Sequence, residues 1–356
     1  MNRSFWNSKK VLITGHTGFK GSWLSLWLQK AGAMLTGFAL QPPTTPNLFQ
    51  LAHVAGGMTS IDGDIRELDA IKNCIANAEP EIVFHLAAQA LVQTSYQQPV
   101  ETYATNVMGT VNLLEAVRSV HSVRVVIVVT SDKCYDNRGW HWGYRENDRL
   151  GGFDPYASSK ACAELVTAAY RNSFFPADKY HEHGVAIATV RTGNVIGGGD
   201  WAQNRLLPDI VRAILNQQTL RIRHPQAIRP WQFVLEPLMG YLMLAEKLWE
   251  AGPQFEGGWN FGPMPSDARP VAWVVERMLQ LWNNQHPWAM DASSHPHEDT
   301  YLRLDTSRAN TLLQWWPRLT LAEALEWTVE WYRAFQTGKD LRQVTDNQIE
   351  RYEQRL

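Results

Sequence analysis

The sequence predicts an α/β protein in which a Rossmann-type, doubly wound parallel sheet is joined to a smaller, mainly helical carboxyl-terminal domain. Through the first half of the chain, short β-branched or apolar runs alternate with longer helical patterns. The strand-like runs are nearly continuously apolar, as in strands buried on both faces of a parallel sheet. After Asn194 the composition changes, with Arg and Pro scattered among short apolar segments. From Ala268 onward the pattern of apolar residues is mostly helical.

Each element of the first half has its own sequence signal. The predicted strands are Lys10–Thr14, Leu35–Leu40, Thr59–Gly63, Glu81–Ala87, Val123–Ser131 and Val185–Arg191. The helices predicted between them are Gly21–Lys30, Leu68–Asn77, Val100–Ser119 and Tyr156–Asn172. Gly32 is placed to end the first of these helices. The charged tail, Leu341–Leu356, is expected to form a solvated helix.

The 356 residues suffice for one large α/β domain and a smaller one. We expect residues 1–197 with about 229–262 to form a dinucleotide-binding domain, and residues 198–228 with 263–356 to form the second domain. The 16 tryptophans are expected to serve the core and interfaces more often than carbohydrate stacking.

Composition argues against several classes of protein. The formal net charge of -2 and the pI of about 6.6 give no global attraction for nucleic acid or for an acidic membrane. The cysteines Cys74, Cys134 and Cys162 show no CxxC spacing, which favours a reducing, cytoplasmic setting over a disulfide framework or zinc site. The amino terminus has no signal-peptide pattern, and the most apolar stretch, Val123–Thr130, is too short for a membrane span.

A glycine-rich loop follows the first strand and opens the first helix. Its glycines have the spacing GxxGxxG. The first permits the tight turn, the second lets backbone N–H groups approach a pyrophosphate at the helix amino terminus, and the third allows close helix–strand packing. We therefore expect this loop to bind a dinucleotide through Gly15, His16, Thr17, Gly18, Phe19, Lys20 and Gly21.

The segment after the second strand, Leu40-Gln41-Pro42-Pro43, lacks the acid that usually binds the ribose of NAD, and it has no Arg for the phosphate of NADP. NAD is favoured, with His16 and Lys20 expected to compensate by facing its phosphates. We expect modest affinity and a need for added NAD, so near-stoichiometric NAD retained after extensive dialysis would contradict this. Asp64 and Ile65, after the third strand, are placed to meet the adenine, although Asp64 has the alternative role of capping the next helix.

Tyr156 and Lys160 stand four residues apart, on one face of a predicted helix. A nearby Lys stabilises a phenolate and lowers the pKa of the Tyr, which then accepts a proton from an alcohol as hydride leaves. Ser131, at the end of the fifth strand, is placed to orient that alcohol. A YxxxK pair alone is common by chance, so its weight comes from the glycine loop upstream.

Together these residues resemble the Ser-Tyr-Lys set of the extended short-chain dehydrogenase/reductase family. The resemblance covers nearly the whole chain, including Leu86-Ala87-Ala88 after the fourth strand and Asn106 in TNVMGT. It implies NAD as the cofactor, with contacts from Leu86, Ala87, Ala88, Asn106, Tyr156 and Lys160. It also implies a homodimer through the helices Val100–Ser119 and Tyr156–Asn172, or a homotetramer.

The residues after Ser131 indicate the reaction. Thr130–Tyr135 (TSDKCY) resembles the corresponding segment of nucleotide-sugar 4,6-dehydratases, whose dTDP-glucose members carry Asp-Glu where this chain has Asp132-Lys133. Such an acid/base pair is needed only when water is eliminated. We assign Tyr156 as the base at hexose C4, Lys160 as the modulator of its pKa, Ser131 as the orienting group, Asp132 as the acid at C6 and Lys133 as the acid/base at C5. Lys133 needs a depressed pKa for this role, and its alternative is an ion pair with Asp132.

Arg191–Trp201 (RTGNVIGGGDW) is similar to a substrate-binding segment of this family, which implies that Asn194 contacts the diphosphate or the sugar. The GGGDW extension and the later RPWQ segment most resemble the CDP-glucose branch, which implies CDP-glucose as the substrate. Two phosphates need cationic partners. The candidate substrate residues are Asn194, Trp201, Arg205, Arg229, Tyr301 and Arg303, and each Arg has the alternative of being a surface residue.

Three alternatives stay open: a dehydratase of a dTDP-, GDP- or UDP-hexose, a nucleotide-sugar epimerase, and a non-catalytic NAD-sensing regulator. Asp132 and Lys133 disfavour the epimerase, and the intact Tyr156 and Lys160 disfavour the regulator. No metal is expected, because the pairs His181/His183 and His295/His297 have only Glu298 and Asp299 as further ligand candidates. The natural destination of the product is deoxysugar biosynthesis for surface polysaccharide such as the lipopolysaccharide O-antigen.

Overall fold

The computed structural model describes residues 1–283, 288–291 and 301–356. In chain order its strands are β1 Lys10–Thr14, β2 Met34–Ala39, β3 Thr59–Asp62, β4 Ile82–His85, β5 Val125–Val129, β6 Ala186–Thr192, β7 Val195–Ile196, β8 Arg221–Ile222, β9 Ile228–Pro230, β10 Gln232–Phe233, β11 Gly257–Phe261, β12 Ala268–Pro270 and β13 Ala289–Met290. Seven of them form one sheet in the order β11-β6-β5-β4-β1-β2-β3. Every neighbouring pair in that sheet is parallel.

The longer helices are α1 Phe19–Lys30, α2 Leu68–Ala78, α3 Gly109–Arg118, α4 Pro155–Phe174, α5 Leu206–Leu215, α6 Leu235–Ala251, α7 Val271–Trp282, α8 Leu321–Gln336 and α9 Leu341–Glu353. A helical turn at Pro99–Tyr103 and a π turn at Ala104–Met108 lead directly into α3. Gly32 follows α1 with φ 81°, as expected for a residue that ends a helix.

Both faces of the sheet are covered by apolar side chains, which confirms the predicted fold class. One buried cluster, on one face of the sheet, packs α1 and α6 against Ile13 of β1, Ile127 of β5 and Val190 of β6. A second cluster on the other face packs α2 and α3 against Leu12 and Val126. The strand order reverses direction beside β1, and in such sheets ligands bind at the carboxyl edge next to that point. The first cluster continues into α7, α8 and α9 without a break, so the proposed domain division stays a prediction.

One expectation about the fold is wrong, and one strand of the main sheet is missing from the prediction. The strand β11 is not predicted, because its sequence GGWNF has two glycines and no apolar run, yet it pairs with residues 188–192 of β6. The tail helix α9 is not simply solvated: Leu341, Ile349 and Tyr352 are buried against α1 and α8. The six strands predicted for the first half all form and differ only at their ends, as where β4 and β5 stop before the loops that carry Leu86 and Ser131.

Among the described residues, no helix combines the length and the apolar character needed to cross a membrane.

Candidate active site

The glycine loop is held by close backbone contacts. Gly15 has φ 77°, in the left-handed region, and a Cβ there would lie 2.6 Å from the amide nitrogen of Ala87. A Cβ on Gly21 would overlap the carbonyl group of Gly15. Gly18 differs, because a Cβ there would meet only the Gly15 oxygen, at 3.4 Å, among the described residues. The protein thus leaves open space in front of Gly18.

That space faces the start of α1, whose N-cap is Gly18 and whose first turn receives no side-chain cap within the described part of the chain. Uncapped N–H groups and the positive end of the helix dipole favour an anion here. The loop therefore fits the pyrophosphate of NAD. Phe19 contributes its backbone to this turn, since its ring packs against the core cluster beside Gly197.

His16 does not face a phosphate as a cation, which corrects the sequence-based expectation. Its ring fills the space left by Gly37 on β2, and its Nε2 lies 2.7 Å from Oγ of Ser60 on β3. Burial lowers the pKa of His16 to about 4, so the imidazole is neutral at neutral pH. Its Nδ1 is buried and has no partner among the described residues.

Lys20 also points elsewhere than expected. Its Nζ donates to Oγ1 of Thr192 at 3.3 Å, at the carboxyl end of β6. Burial lowers the pKa of Lys20 to about 7, and the neighbouring Arg205 and Lys160 act in the same direction. Lys20 therefore lies on the side of the reacting groups, and the expectation that it faces the cofactor phosphates is wrong.

The turn after β4 lies against the glycine loop. Ala87 donates its N–H to Oγ1 of Thr14 at 3.2 Å, and Leu86 donates to the Thr14 carbonyl at 3.0 Å. Ala88 continues the same turn. Buried Asn106 holds it from the π turn, because its amide bonds the backbone of Gln89 through both Oδ1 and Nδ2 and also reaches Ser159 Oγ at 2.8 Å. Asn106 thus positions the turn, and its contact with the cofactor stays a prediction.

Asp64 is paired with Arg66. Its carboxylate accepts from the Arg66 backbone N–H at 2.9 Å and from the guanidinium, and the side-chain bond to Arg66 lowers its pKa. The N-cap of α2 is Glu67, so Asp64 does not cap that helix. Ile65 is buried next to Gly109, and contact of Asp64 and Ile65 with an adenine stays a prediction.

Ser131, Asp132 and Lys133 form a tight turn at the carboxyl end of β5. Ser131 is the N-cap of the 3-10 turn Asp132–Cys134, and its Oγ accepts the Lys133 N–H at 3.2 Å. The same hydroxyl donates to Oδ1 of Asp132 at 2.9 Å. The Ser131 and Asp132 side chains are buried, whereas Lys133 is half-buried.

Tyr156 and Lys160 lie in the first turns of α4, which Pro155 and the capping carboxylate of Asp154 begin. Lys160 donates from Nζ to the Val129 carbonyl at 3.1 Å, directly before the turn of Ser131. Burial lowers the pKa of Lys160 to about 8. Burial raises the pKa of Tyr156 to about 12, opposed by a hydrogen bond with Ser131. Burial and Ser131 are thus the leading influences on the pKa of Tyr156, and its lowering by Lys160 stays a prediction.

A buried ion pair that the sequence analysis missed supports this turn. Glu164 accepts from Arg191 Nη2 at 2.8 Å and from Oγ1 of Thr189 at 2.6 Å, and Thr130 donates to it as well. Arg191 also donates to the hydroxyl of Tyr135 at 2.7 Å. Two features of the sequence indicate this pair. Glu164 follows Lys160 by four residues, as Lys160 follows Tyr156, so all three lie on one helix face. Arg191 interrupts an apolar strand, where a buried charge needs a partner of opposite charge.

The substrate candidates fall into two groups. Arg205 lies at this site, 3.1 Å from Asp200 and close enough to affect the pKa of both Tyr156 and Lys20. Half-buried Asn194 precedes β7, where its carbonyl accepts from Gln232. Trp201 is not available to a substrate, because its ring is buried edge-on against Tyr332 and Phe335.

Arg229, Tyr301 and Arg303 form the second group, brought together because Ile228 bridges to Tyr301. Arg303 lies over the Tyr301 ring at 4.9 Å, and its Nε is buried without a partner among the described residues. The Arg303 carbonyl accepts the N–H of Tyr144 at 2.9 Å, which links this segment to the loop after the turn of Ser131 to Cys134.

No group of residues suited to a metal occurs in the described ranges. His183 bonds the Pro176 carbonyl through Nε2, whereas His295, His297, Glu298 and Asp299 lie outside the described residues. Burial raises the pKa of the Cys134 thiol well above its usual value, in keeping with a packing role.

Comparison with known proteins finds relatives that match most of the chain. Residues 12–251 match the family described as GDP-mannose 4,6 dehydratase. The chain is 53% identical over 352 residues to the CDP-glucose 4,6-dehydratase of Salmonella typhimurium, covering 99% of this chain and 98% of that protein. The solved structure of MoeE5 with UDP-glucose and NAD is 25% identical, with a TM-score of 0.77 over 92% of this chain and 99% of that one.

A further solved structure shares the fold. The dTDP-glucose 4,6-dehydratase of Bacillus anthracis, in complex with NAD, has a TM-score of 0.76 at 20% identity, over 93% of this chain and 99% of that one. The family match covers well over half of the residues, and the Salmonella relative aligns almost from end to end. The chain is therefore a member of the GDP-mannose 4,6 dehydratase family, within the extended short-chain dehydrogenases and reductases.

Proposed function

We propose that this chain is an NAD-dependent hydro-lyase that converts CDP-D-glucose into CDP-4-dehydro-6-deoxy-D-glucose. The observation that carries the proposal is the identity of 53% over 99% of the chain with a CDP-glucose 4,6-dehydratase. The grouping of Ser131, Asp132 and Lys133 with Tyr156 and Lys160 at one sheet edge supports it, because elimination of water needs an acid and a base beside the oxidising site.

Oxidation at hexose C4 uses Tyr156 as the base and Ser131 as the group that orients the C4 hydroxyl. NAD held by the glycine loop would supply the hydride acceptor for oxidation at C4 and the hydride donor for reduction at C6. Tyr156 starts with a pKa of about 12, so it needs added positive charge to release its own proton first. Lys160, held 3.1 Å from the Val129 carbonyl, is the residue of this chain that supplies that charge.

Loss of water uses the turn beside Ser131. The ketone at C4 acidifies the proton on C5, and Lys133 accepts that proton. Asp132 donates a proton to the C6 hydroxyl, the C6–O bond breaks, and water leaves with a C5–C6 double bond in its place. Lys133 then returns the proton to C5 as C6 takes up the hydride, which restores Lys133 to its starting protonation state.

The residues proposed to bind the cofactor and the substrate lie around the same carboxyl edge of the sheet. The loop residues Gly15 to Gly21 hold the cofactor pyrophosphate through backbone N–H groups, Leu86 to Ala88 line its path, and Asp64 and Ile65 meet the adenine. Arg205 and Asn194 receive the diphosphate or sugar, while Arg229, Tyr301 and Arg303 receive the remainder of the nucleotide.

The proposed setting is a cytoplasmic homodimer or homotetramer, without nucleic acid or membrane as a partner. Exposed apolar side chains on the helices named from the sequence support the assembly: Val100 is 81% exposed, Met108 52% and Leu165 58%. Such residues on two neighbouring helices are typical of a self-associating surface. The unpaired cysteines are consistent with a reducing compartment.

Incubation with NAD and, separately, CDP-, dTDP-, GDP- and UDP-glucose tests the proposal. The 4-keto-6-deoxy product is read from its chromophore in alkali, and the CDP sugar should give the highest kcat/KM. A better rate with another nucleotide assigns the chain to that substrate instead. An epimerised sugar without the chromophore indicates an epimerase, and no turnover with any of them supports the NAD-sensing alternative.

A further inference from the structure

The carboxyl end of β2 is unusual for a protein that binds NAD. Folds of this kind carry an acid there, about 20 residues beyond the glycine loop, to hold the adenosine ribose. Here β2 ends at Ala39 and continues into Leu40 and Gln41, both exposed and uncharged. The position of the usual acid is therefore taken by an amide.

An acid lies one strand away at the same level. In the parallel register of β2 and β3, Ala39 is the partner of Asp62, and Gly37 is the partner of Ser60. Alternate residues of a strand share one face of the sheet, so Asp62 lies on the face of Ser60. That face also carries His16 of the glycine loop, which bonds Ser60. Asp62 thus stands beside the loop, at the edge of the sheet where folds of this kind bind the ribose.

Gln41 fixes the orientation of this carboxylate. Its Nε2 donates to Oδ2 of Asp62 at 2.6 Å. Thr17 donates to the carbonyl of Leu40 at 2.8 Å, which ties the glycine loop to the segment that carries Gln41. An ionised carboxylate has about four acceptor positions, so Asp62 keeps capacity for two hydroxyl groups after bonding Gln41.

We propose that Asp62, oriented by Gln41, is the ribose-binding acid of this chain and that its charge makes the site select NAD over NADP. The inference rests on the proposed function only in taking a nicotinamide dinucleotide as the ligand. A phosphate on the ribose 2′-oxygen would stand beside the carboxylate and be repelled, while neutral His16 offers it no cation.

Calorimetric titration of the NAD-free protein with NAD, NADP and the analogue of NAD that lacks the adenosine 2′-hydroxyl tests this assignment. Asp62→Asn removes the charge at nearly constant shape and should weaken NAD binding by about ten- to a hundred-fold. It should also narrow the preference for NAD over NADP by about tenfold. The loss should be much smaller with the 2′-deoxy analogue, because the hydroxyl that Asp62 accepts from is already absent.

Asp178→Asn is the matched control, since Asp178 is exposed on a turn leading to the opposite, amino end of β6. Gln41→Ala should fall between the two variants. Equal NAD affinity in Asp62→Asn and Asp178→Asn, with wild-type binding intact, overturns this inference and leaves the proposed function standing. A wild-type protein that binds neither dinucleotide overturns both.

Discussion

Glu164 and Arg191 form an ion pair of 2.8 Å next to the turn of Ser131 to Cys134, with both side chains about 95% buried. Helix α4 supplies the carboxylate and β6 the guanidinium. Thr130 and Tyr135, which flank the turn of Ser131 to Cys134, each bond one member of the pair. The two ends of the turn are therefore fastened to the same buried charges.

Glu164→Gln should lower the free energy of unfolding by about 3–5 kcal/mol, because it leaves the Arg191 charge buried without its counter-ion. Urea unfolding measures the loss. Glu330→Gln breaks an exposed pair with Arg351 and should cost less than about 1 kcal/mol. An equal loss of unfolding free energy in the two variants would show that the buried pair stabilises the protein no more than the exposed pair does.

Lys133→Ala should separate oxidation from elimination. Tyr156, Ser131 and Lys160 remain, so one equivalent of NADH should accumulate in a single turnover while the 4-keto-6-deoxy chromophore fails to form. Lys179→Ala, a change on an exposed turn, serves as the control and should behave as the wild type does. Formation of product at the normal rate by Lys133→Ala would remove Lys133 from the mechanism.

Glu236 should make the stability depend on pH. Burial raises its pKa from 4.5 to about 7, although Tyr352 and the N–H groups of Arg318 and Leu319 bond the carboxylate. The folded protein thus binds this proton more tightly than the unfolded chain does. The contribution to stability is complete below pH 4.5 and is lost as the pH rises to about 7.

Glu236→Gln keeps an oxygen for both N–H groups and should remove this dependence. Its free energy of unfolding should exceed that of the wild type by roughly 3 kcal/mol above pH 7 and match it below pH 4.5. Denaturant unfolding across this pH range, with Glu276→Gln on exposed α7 as the control, provides the measurement. Parallel pH curves for Glu236→Gln and the wild type would contradict the assignment.

Leu165→Glu should convert the proposed oligomer into monomers, because a carboxylate on the exposed apolar face of α4 has no partner when that face is covered. Sedimentation velocity measures the change. Leu312→Glu places the same charge on a side chain that is 50% exposed elsewhere on the surface, and it should leave the assembly unchanged. A monomeric wild-type protein would refute the proposed assembly itself.

Local spacing explains what the sequence predicts well. Gly15, Gly18 and Gly21 belong to one backbone turn, and Tyr156 and Lys160 belong to one helix face. Both motifs can therefore be recognised without knowing which distant residues pack against them. The continuous apolar strands likewise reveal burial on both faces of the sheet.

Tertiary placement explains what it misses. Lys20 sits among the loop residues in sequence, yet its long side chain reaches Thr192 on β6. Polar His16 is buried because Gly37 on the next strand leaves room for its ring. Asp62 lies level with Ala39 only through the register of two strands, and Trp201 is buried by helix α8, which follows more than a hundred residues later.

The strand β11 affects when, during synthesis of the chain, the segment after β5 can adopt its final structure. Its Asn260 accepts from the hydroxyl of Tyr135 at 2.8 Å and donates to the Tyr144 carbonyl. During translation the ribosome must therefore release the chain past residue 261 before these bonds can form. Until then β6 has an unpaired edge, and an unpaired strand edge is a site at which another chain can pair.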